Sequence, residues 1–280
     1  FFFFFSFNNA GFSLFDNNLM SFHFNYLFFF FFSLLYTLGG IGFLVLIDIK
    51  QNKRWSKLTP NSKLILSTIA ILNLVAFVLI WLLESNNPLT LGSMSLGEQA
   101  MNAWFQATVP RSSGFNTIDT GAMEHSTALL TMLLMFIGGG SLSTAGGIKV
   151  GTFVILVLCV ISFLRRNEEI RIFNHSVSQE TTYKALAVTA ITGMLVFTGC
   201  FILLLLEPKL DALDLMFEVV SAACTVGLSR GATGELHDGS LFVLSLLMYT
   251  GRLGPLTLAY LIATPKKSRL KHAIANIQIG

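Results

Sequence analysis

The sequence has little charge and little cysteine. Only 12% of its 280 residues are charged, where a soluble protein carries about 25%, and 53% are hydrophobic. So few charges cannot cover a water-exposed surface, and the net charge of +3 is too small to predict nucleic-acid binding. Cys159, Cys200 and Cys224 lie in apolar or small-residue surroundings. Their number and spacing fit neither a disulfide scaffold nor a zinc framework, so we interpret them as packing residues.

Charge is missing altogether from long parts of the chain. Four stretches carry no charged residue: 17–47, 64–83, 125–148 and 185–206. Each is long enough to cross hydrocarbon, which takes about 20 helical residues. A fifth stretch, 239–265, is interrupted only by Arg252. The sequence therefore predicts an all-α polytopic membrane protein.

The basic residues predict how the chain crosses the membrane. Thirteen of the 18 basic residues fall at 50–63, 165–184 and 266–271, and the positive-inside rule places these segments in the cytoplasm. The segments 84–124 and 207–238 hold ten of the 15 acidic residues and are expected outside. The crossings that connect them are 24–49, 64–83, 126–164, 185–206 and 240–264. We expect a multi-pass protein of the cell membrane.

One crossing is too long for a straight helix. The stretch 126–164 has about twice the residues that a span needs, and its middle, at 138–147, reads GGGSLSTAGG. This composition predicts a helix that is interrupted at mid-membrane.

Each outer segment contains a short apolar piece followed by a glycine turn. The piece 98–108 leads into SSGFN at 112–116, and the piece 211–224 leads into TVGLS at 225–229. Both are too short to cross. They fit half-helices that enter the membrane and return as an extended loop, which is tolerated where bare backbone faces protein or water. FNNAGFS at 7–13 offers a third copy of the turn.

These turns define an internal repeat. Gly11, Gly114 and Gly227 lie 103 and 113 residues apart, so the repeat of helix, half-helix, glycine loop and helix is about 100 residues long. We expect the remainder of a second repeat at 1–62, a third repeat at 63–170 and a fourth at 171–280. Glycine turns that merely end helices are the alternative. Three turns at one place in a repeat favour a pore lined by backbone carbonyls.

Five motifs carry a resemblance to a known family. They are FNNAGFSLF at 7–15, RSSGFNTID at 111–119, MFIGGGSLSTAGGIK at 135–149, SAACTVGLS at 221–229 and GRLGPLT at 251–257. In this order they resemble the membrane subunits of the Trk/Ktr/HKT potassium transporter superfamily, most closely the bacterial Ktr type. The resemblance implies four helix–pore-loop–helix repeats around a pseudo-fourfold pore, of which the first is not in this sequence. We therefore interpret the chain as truncated at its N-terminus.

The resemblance implies a role for each motif. Backbone carbonyls of three filter strands would bind potassium, and these strands are Asn9, Ala10, Gly11 and Phe12; Ser112, Ser113, Gly114 and Phe115; and Thr225, Val226, Gly227 and Leu228. An intramembrane gating loop would obstruct the pathway beneath the filter. Its residues are Gly138, Gly139, Gly140, Ser143, Thr144, Ala145, Gly146 and Gly147, joined in the gate by Lys149 and Arg252.

Two basic residues at membrane depth also stand out without the resemblance. A guanidinium such as Arg252 is costly in hydrocarbon and usually faces a cavity, carbonyls or an acid. It would also repel cations. The alternative is a structural role capping the carbonyls of a broken helix. For Lys149 the alternative is that it extends from the loop to the cytoplasmic interface.

The sequence thus predicts inward potassium transport, with no enzyme activity and no cofactor. Potassium is the expected substrate, and sodium is possible for coupling. The resemblance implies a homodimer in a lipid bilayer, the bacterial inner membrane, that docks a cytoplasmic ring of nucleotide-binding regulatory subunits of the KtrA/TrkA type. The basic segments 50–63 and 164–184 and the tail after Pro265 are the expected dock.

Two alternatives remain open, and a third finds no support in the sequence. A related transporter could prefer sodium, because the filter residue that bears on this choice in plant members belongs to the first repeat. The chain could be an inert fragment, because three strands do not complete a ring. An intramembrane enzyme would need a nucleophile, acid pair or metal cluster at bilayer depth, and the sequence contains none. The phenylalanine runs at 1–5 and 28–32 are either lipid-facing sequence or the product of a damaged reading frame.

Overall fold

The computed structural model describes residues 2–11, 18–20, 25–111, 113–167 and 169–254. Two predicted filter residues, Phe12 and Ser112, lie outside these residues. The end of the last predicted crossing, 255–264, and the tail after Pro265 also lie outside them.

The described residues are mainly helical, as the sequence predicts. The helices are α1 (Phe2–Phe7), α2 (Tyr26–Ile41), α3 (Phe43–Asn52), α4 (Pro60–Glu84), α5 (Leu96–Thr108), α6 (His125–Phe136), α7 (Val150–Leu164), α8 (Gln179–Leu206), α9 (Ala212–Ala223) and α10 (Asp238–Leu253). Short 3₁₀ turns occupy Trp55–Lys57 and Ala232–Glu235. Strands β1 (Arg171–Ile172) and β2 (His175–Ser176) pair antiparallel between α7 and α8. This small hairpin is an addition to the all-α expectation.

Among the described residues, two helices are long and apolar enough to cross a membrane unaided. They are α4, with 25 residues and a mean hydropathy of 2.5, and α8, with 28 residues and a mean hydropathy of 2.3. The outer surface of α8 is apolar, since Met194, Phe197 and Leu205 are each about two-thirds or more exposed. Apolar side chains that face outward suit a hydrocarbon solvent, so these helices fit the membrane protein that the sequence predicts.

The first predicted crossing is bent, whereas the sequence indicated a break only in the third. Helices α2 and α3 meet at an angle of 98°. Gly42 between them has a φ of +101°, a conformation that glycine adopts without steric cost. A Cβ at Gly42 would lie 2.3 Å from the Ser141 carbonyl oxygen. The bend therefore brings α2 and α3 against the glycine-rich loop (138–147).

The two half-helices predicted from the outer segments are α5 and α9. Each packs against the long helix before it, α5 on α4 and α9 on α8. The first turn of each is capped by an acidic residue. The Glu98 carboxylate accepts the Ser95 amide 2.9 Å away, and the Asp211 carboxylate accepts the Leu213 amide 2.8 Å away. The caps fix the outer ends of both half-helices.

A buried glutamate recurs at the outer end of each long helix. Glu84 ends α4, and its Oε1 accepts the Glu124 amide, the N-cap of α6, at 3.0 Å. Glu207 follows α8, and its Oε1 accepts the His237 amide, the N-cap of α10, at 2.9 Å. Both carboxylates are at most 4% exposed. The third and fourth repeats therefore join their long and inward helices by the same contact.

The second phenylalanine run packs as part of the core. Phe29 and Phe32 are almost fully buried, whereas Phe30 and Phe31 are about half exposed. The Phe29 ring lies 4.9 Å from that of Phe105 in α5, centre to centre. The Phe32 ring lies 5.9 Å from that of Phe115. The run thus faces both the lipid side and the half-helix of the next repeat.

Candidate ion pathway

The three repeat glycines meet at one point. A Cβ built on Gly11 would lie 2.5 Å from Gly114 Cα, and one built on Gly114 would lie 3.0 Å from Gly11 Cα. A Cβ on Gly227 would lie 3.5 Å from Gly114 Cα. Any side chain at Gly11 or Gly114 would therefore collide with backbone of another repeat. Glycines that are 103 and 113 residues apart in sequence share one small volume.

The predicted fourth filter strand, 225–228, is held in place by hydrogen bonds to α9. The amides of Cys224, Thr225 and Val226 donate to the α9 carbonyls of Val220, Ala222 and Ser221, at 2.9 to 3.0 Å. The Gly227 amide donates to Ser221 Oγ at 3.2 Å. The amides of the strand are therefore hydrogen-bonded to the half-helix. The Val226 carbonyl oxygen faces the other way and lies 2.8 Å from a Cβ built on Gly114.

Side chains of the strands point into the protein core. Phe115, Val226 and Leu228 are each at most 3% exposed and belong to one hydrophobic cluster with Phe105 and Phe217. These buried side chains anchor the strands, and at the repeat glycines the backbone of one strand lies against the backbone of another. Oriented carbonyl oxygens can replace the hydration shell of a dehydrated cation.

The second strand is tied to both the third strand and the glycine-rich loop. The Ala10 amide donates to the Phe5 carbonyl of α1 at 3.0 Å. The Asn9 Nδ2 donates to Thr144 Oγ1 at 2.7 Å, and the Ser113 hydroxyl donates to Asn9 Oδ1 at 3.4 Å. Asn9 therefore links a predicted filter strand to the predicted gate.

The glycine-rich loop connects α6 to α7 and is closed at its base by hydrogen bonds. Its two ends are joined, since the Gly138 amide donates to the Ile148 carbonyl at 2.9 Å and the Ile148 amide donates to the Phe136 carbonyl at 3.0 Å. A Cβ on Gly138 would lie 1.8 Å from the Gly146 carbonyl oxygen. Only glycine fits at this neck, which explains the composition of the loop.

The loop packs between the C-terminal end of α2 and the predicted fourth filter strand. On one side the Gly140 amide donates to the Gly40 carbonyl at 2.7 Å. On the other side, a Cβ on Gly146 would lie 2.1 Å from the Cys224 carbonyl oxygen and 2.2 Å from Thr225 Oγ1. The loop therefore lies directly against the inner end of that strand.

Both basic residues predicted for the gate bind the loop backbone. Arg252 Nη1 donates to the Thr144 carbonyl at 2.9 Å, and Lys149 Nζ donates to the next carbonyl, of Ala145, at 2.5 Å. A cavity of about 570 Å³ beside them is lined by the loop and by the end of α10. Two positively charged side chains thus bind adjacent carbonyls of the loop.

Sequence reasoning gave no role to several residues that the fold brings to this region. Gly39 and Gly40 in α2 receive the loop, but they read in sequence as ordinary residues of an apolar stretch. Arg230 reads in sequence as one of the few basic residues of the outer segments, yet its side chain is 5% exposed and bonds to the third repeat. These contacts join different repeats, so periodicity within one repeat carries no signal for them.

Comparisons with known proteins agree with the fold. Residues 4–271 match the family model TrkH, described as "Cation transport protein". The chain is 39% identical over 275 residues to the Ktr system potassium uptake protein B of Bacillus subtilis, and this match covers 98% of the chain and 62% of the relative. It is 34% identical over 281 residues to the Potassium/sodium uptake protein NtpJ of Enterococcus hirae, which covers 98% of the chain and 62% of that relative.

A solved structure is similar as well. The crystal structure of the potassium transporter TrkH from Vibrio parahaemolyticus superposes with a TM-score of 0.79 at 19% identity, over 93% of this chain and 57% of that one. This similarity supports the fold. The chain spans about 62% of the length of the curated relatives that it matches. The matched family is one of transporters rather than enzymes, and the chain belongs to this TrkH family of cation transport proteins.

Proposed function

We propose that the protein takes up potassium through a filter of backbone carbonyls at the meeting point of Gly11, Gly114 and Gly227. The observation that carries the proposal is the mutual approach of these glycines while neighbouring side chains are held in the core. Carbonyl oxygens of filter strands 9–12, 112–115 and 225–228 would coordinate the ion. The names of relatives as potassium uptake proteins support potassium as the substrate.

The glycine-rich loop is proposed as the gate. Its contacts with the Cys224 carbonyl and with Asn9 support a position across the inner exit of the filter. Arg252 and Lys149 would stabilise the obstructing position by binding adjacent loop carbonyls. Movement of the loop would open the pathway when a regulator acts.

The proposed assembly is a homodimer in the bacterial inner membrane with a cytoplasmic ring of nucleotide-binding regulatory subunits. Repeats at 1–62, 63–170 and 171–280 would form three quadrants around the pore. Exposed basic residues at Lys50, Lys53, Arg54 and Lys57 support a cytoplasmic dock in the segment 50–63, together with 164–184 and the tail after Pro265.

The test is rubidium and sodium uptake in cells that lack their own potassium uptake. The 280-residue chain is compared with the product of the whole reading frame, each quantified in the membrane. We expect selective rubidium uptake from the complete protein. Uptake that fails to distinguish rubidium from sodium would contradict the proposal.

The sharpest variant is Gly227→Val. At a φ of +89° valine is strained, and the added side chain would meet Gly114 Cα, so we expect loss of rubidium uptake or of its preference over sodium. The matched control is Gly234→Val, because nothing lies within 4 Å of a Cβ there and the residue is on the exposed outer segment. Unchanged ion preference in the Gly227 variant would remove the filter assignment.

A sodium-preferring transporter is the second candidate. The observation in its favour is the name of the Enterococcus hirae relative, a potassium/sodium uptake protein. Sodium uptake that exceeds rubidium uptake in the same cells would favour it. Uptake by the complete product alone would assign the present chain as an inert part of the transporter.

A further inference from the structure

Arg230 is a buried cation in an outer segment of the fourth repeat. It lies three residues after Gly227, and its side chain is 5% exposed. Its Nε donates to Asp214 Oδ1 at 2.6 Å, and Asp214 lies in the first turn of α9. This bond therefore attaches Arg230 to the half-helix that precedes the fourth filter strand.

The rest of the guanidinium binds the third repeat. Nη1 donates to the carbonyls of Thr120 at 2.9 Å and Met123 at 3.3 Å, and Nη2 donates to the Gly121 carbonyl at 3.1 Å. These three carbonyls belong to the segment that leads from the third filter strand to α6. One side chain thus joins the outer ends of two neighbouring filter strands.

Hydrogen bonds beside Arg230 fix the same junction. The Thr120 hydroxyl donates to the Ser229 carbonyl, which directly precedes Arg230. The Ser229 hydroxyl in turn donates to Glu218 Oε1, and the Thr233 hydroxyl donates to Glu218 Oε2 at 2.8 Å. The backbone on both sides of Arg230 is therefore held to α9, and the guanidinium cannot shift without moving the strand.

The third repeat has a different residue at this place. By the 113-residue offset between Gly114 and Gly227, Arg230 corresponds to Thr117. Thr117 is 2% exposed, and its hydroxyl has no hydrogen-bond partner in the part of the chain that the structure describes. The arginine bridge is thus a feature of the fourth repeat and not of the shared repeat plan.

We infer that Arg230 is a positioning residue that sets the spacing of the third and fourth filter strands and thereby the ion selectivity. A planar guanidinium offers donors in a fixed fork and holds several acceptors at once, which lysine cannot reproduce. A carbonyl filter distinguishes ions through where its oxygens lie, so a loosened strand tolerates a smaller ion. The inference rests on the proposed function, because it concerns the selectivity of that filter.

The experiment measures rubidium and sodium uptake kinetics for the full-length protein and its Arg230→Gln and Arg230→Lys variants. We expect Arg230→Gln to raise the KM for rubidium and to lower the rubidium-to-sodium ratio about fivefold, as loss of charge-assisted bonds to several carbonyls implies. For Arg230→Lys, the KM and the rubidium-to-sodium ratio should lie between those of the wild type and those of Arg230→Gln. The matched control is Lys209→Gln, because Lys209 is an exposed cation of the same outer segment and its loss should leave both values unchanged.

A second variant covers the case in which Arg230 variants do not reach the membrane. Thr120→Val removes the bond to the Ser229 carbonyl without changing charge, and it should lower the ratio in the same direction but less. Variants that transport with an unchanged ratio and KM, at whatever membrane level, would overturn the inference. An unselective wild-type protein would instead overturn the proposed function.

Discussion

The third and fourth repeats have the same outer half but differ where their inward helices reach Gly138 and Gly251. Outside, each has a long helix, a short half-helix and a glycine strand, and each places a buried glutamate on the N-cap amide of its inward helix. The inward helix of the third repeat is interrupted after Phe136. The corresponding helix of the fourth repeat, α10, continues from Asp238 to Leu253.

The repeat offset aligns the two inner halves residue by residue. With 113 residues between equivalent positions, Gly138 corresponds to Gly251, and Gly139 corresponds to Arg252. Where one repeat turns out of its helix into a loop, the other stays helical and supplies the cation that binds this loop. In the proposed transporter, the third repeat would thus form the gating loop and the fourth repeat would hold it.

Substitution of the aligned glycines, Gly138 and Gly251, should have the largest effect that tests this comparison. A Cβ on Gly138 would lie 1.8 Å from the Gly146 carbonyl oxygen, and one on Gly251 would lie 2.1 Å from the Ala223 carbonyl oxygen. We expect Gly138→Ala to destabilise the protein by about 2 kcal/mol, because the neck of the loop must open. Thermal unfolding of the purified protein in detergent measures the effect.

Two further variants make the Gly138 result specific. Gly251→Ala should destabilise to a similar degree, since the clash is also with backbone. Gly193→Ala in α8 should be neutral or slightly stabilising, because nothing lies within 4 Å of its Cβ. A Gly138 variant as stable as the Gly193 variant would contradict the tight neck.

Arg252→Gln tests whether the proposed gate controls the uptake rate while the proposed filter controls the ion preference. Loss of the charged bond to the Thr144 carbonyl should free the loop, so we expect the maximal rubidium uptake rate to rise about threefold to tenfold. The rubidium-to-sodium ratio should stay constant, because the filter strands are not altered. The measurement is initial uptake rate against rubidium concentration, with Lys209→Gln as control. A changed ratio at an unchanged rate would assign Arg252 to selectivity instead.

The smallest effect concerns the glutamate at the outer end of α8. Hydrogen bonds from the Ser240 hydroxyl and the His237 amide lower the pKa of Glu207 from 4.5 to about 2. A carboxyl with a depressed folded-state pKa stabilises the protein above its unfolded value, so this contribution should be lost as the pH falls from about 4.5 toward 2. Melting temperature measured from pH 7 to pH 3 should decline less steeply for Glu207→Gln.

Glu235→Gln serves as the control for this pH profile. Glu235 is an exposed carboxylate in the same outer segment, so its removal should leave the slope unchanged. A Glu207 variant with the same acid slope as the wild type would show that the cap does not stabilise the fold in this pH range.

The helical membrane fold could be predicted because its cause is local. Absence of charge over a span-length stretch requires burial in hydrocarbon, and clustered basic residues fix the side on which a loop lies. The break at 138–147 was also predicted, since glycine and small polar residues do not favour a long apolar helix. The bend at Gly42 was not, because single glycines in an apolar stretch are compatible with a continuous membrane helix.

The sequence by itself determined which residues are equivalent, since the spacing of Gly11, Gly114 and Gly227 is visible without coordinates. The tertiary structure decided which of these residues touch and which side chains form contacts between repeats. Asn9 to Thr144, Arg252 to the Thr144 carbonyl and Arg230 to the third repeat are contacts over about a hundred residues or more. Such contacts depend on how the repeats close around a common centre, and a hydropathy pattern records only the environment of each segment, not its neighbours.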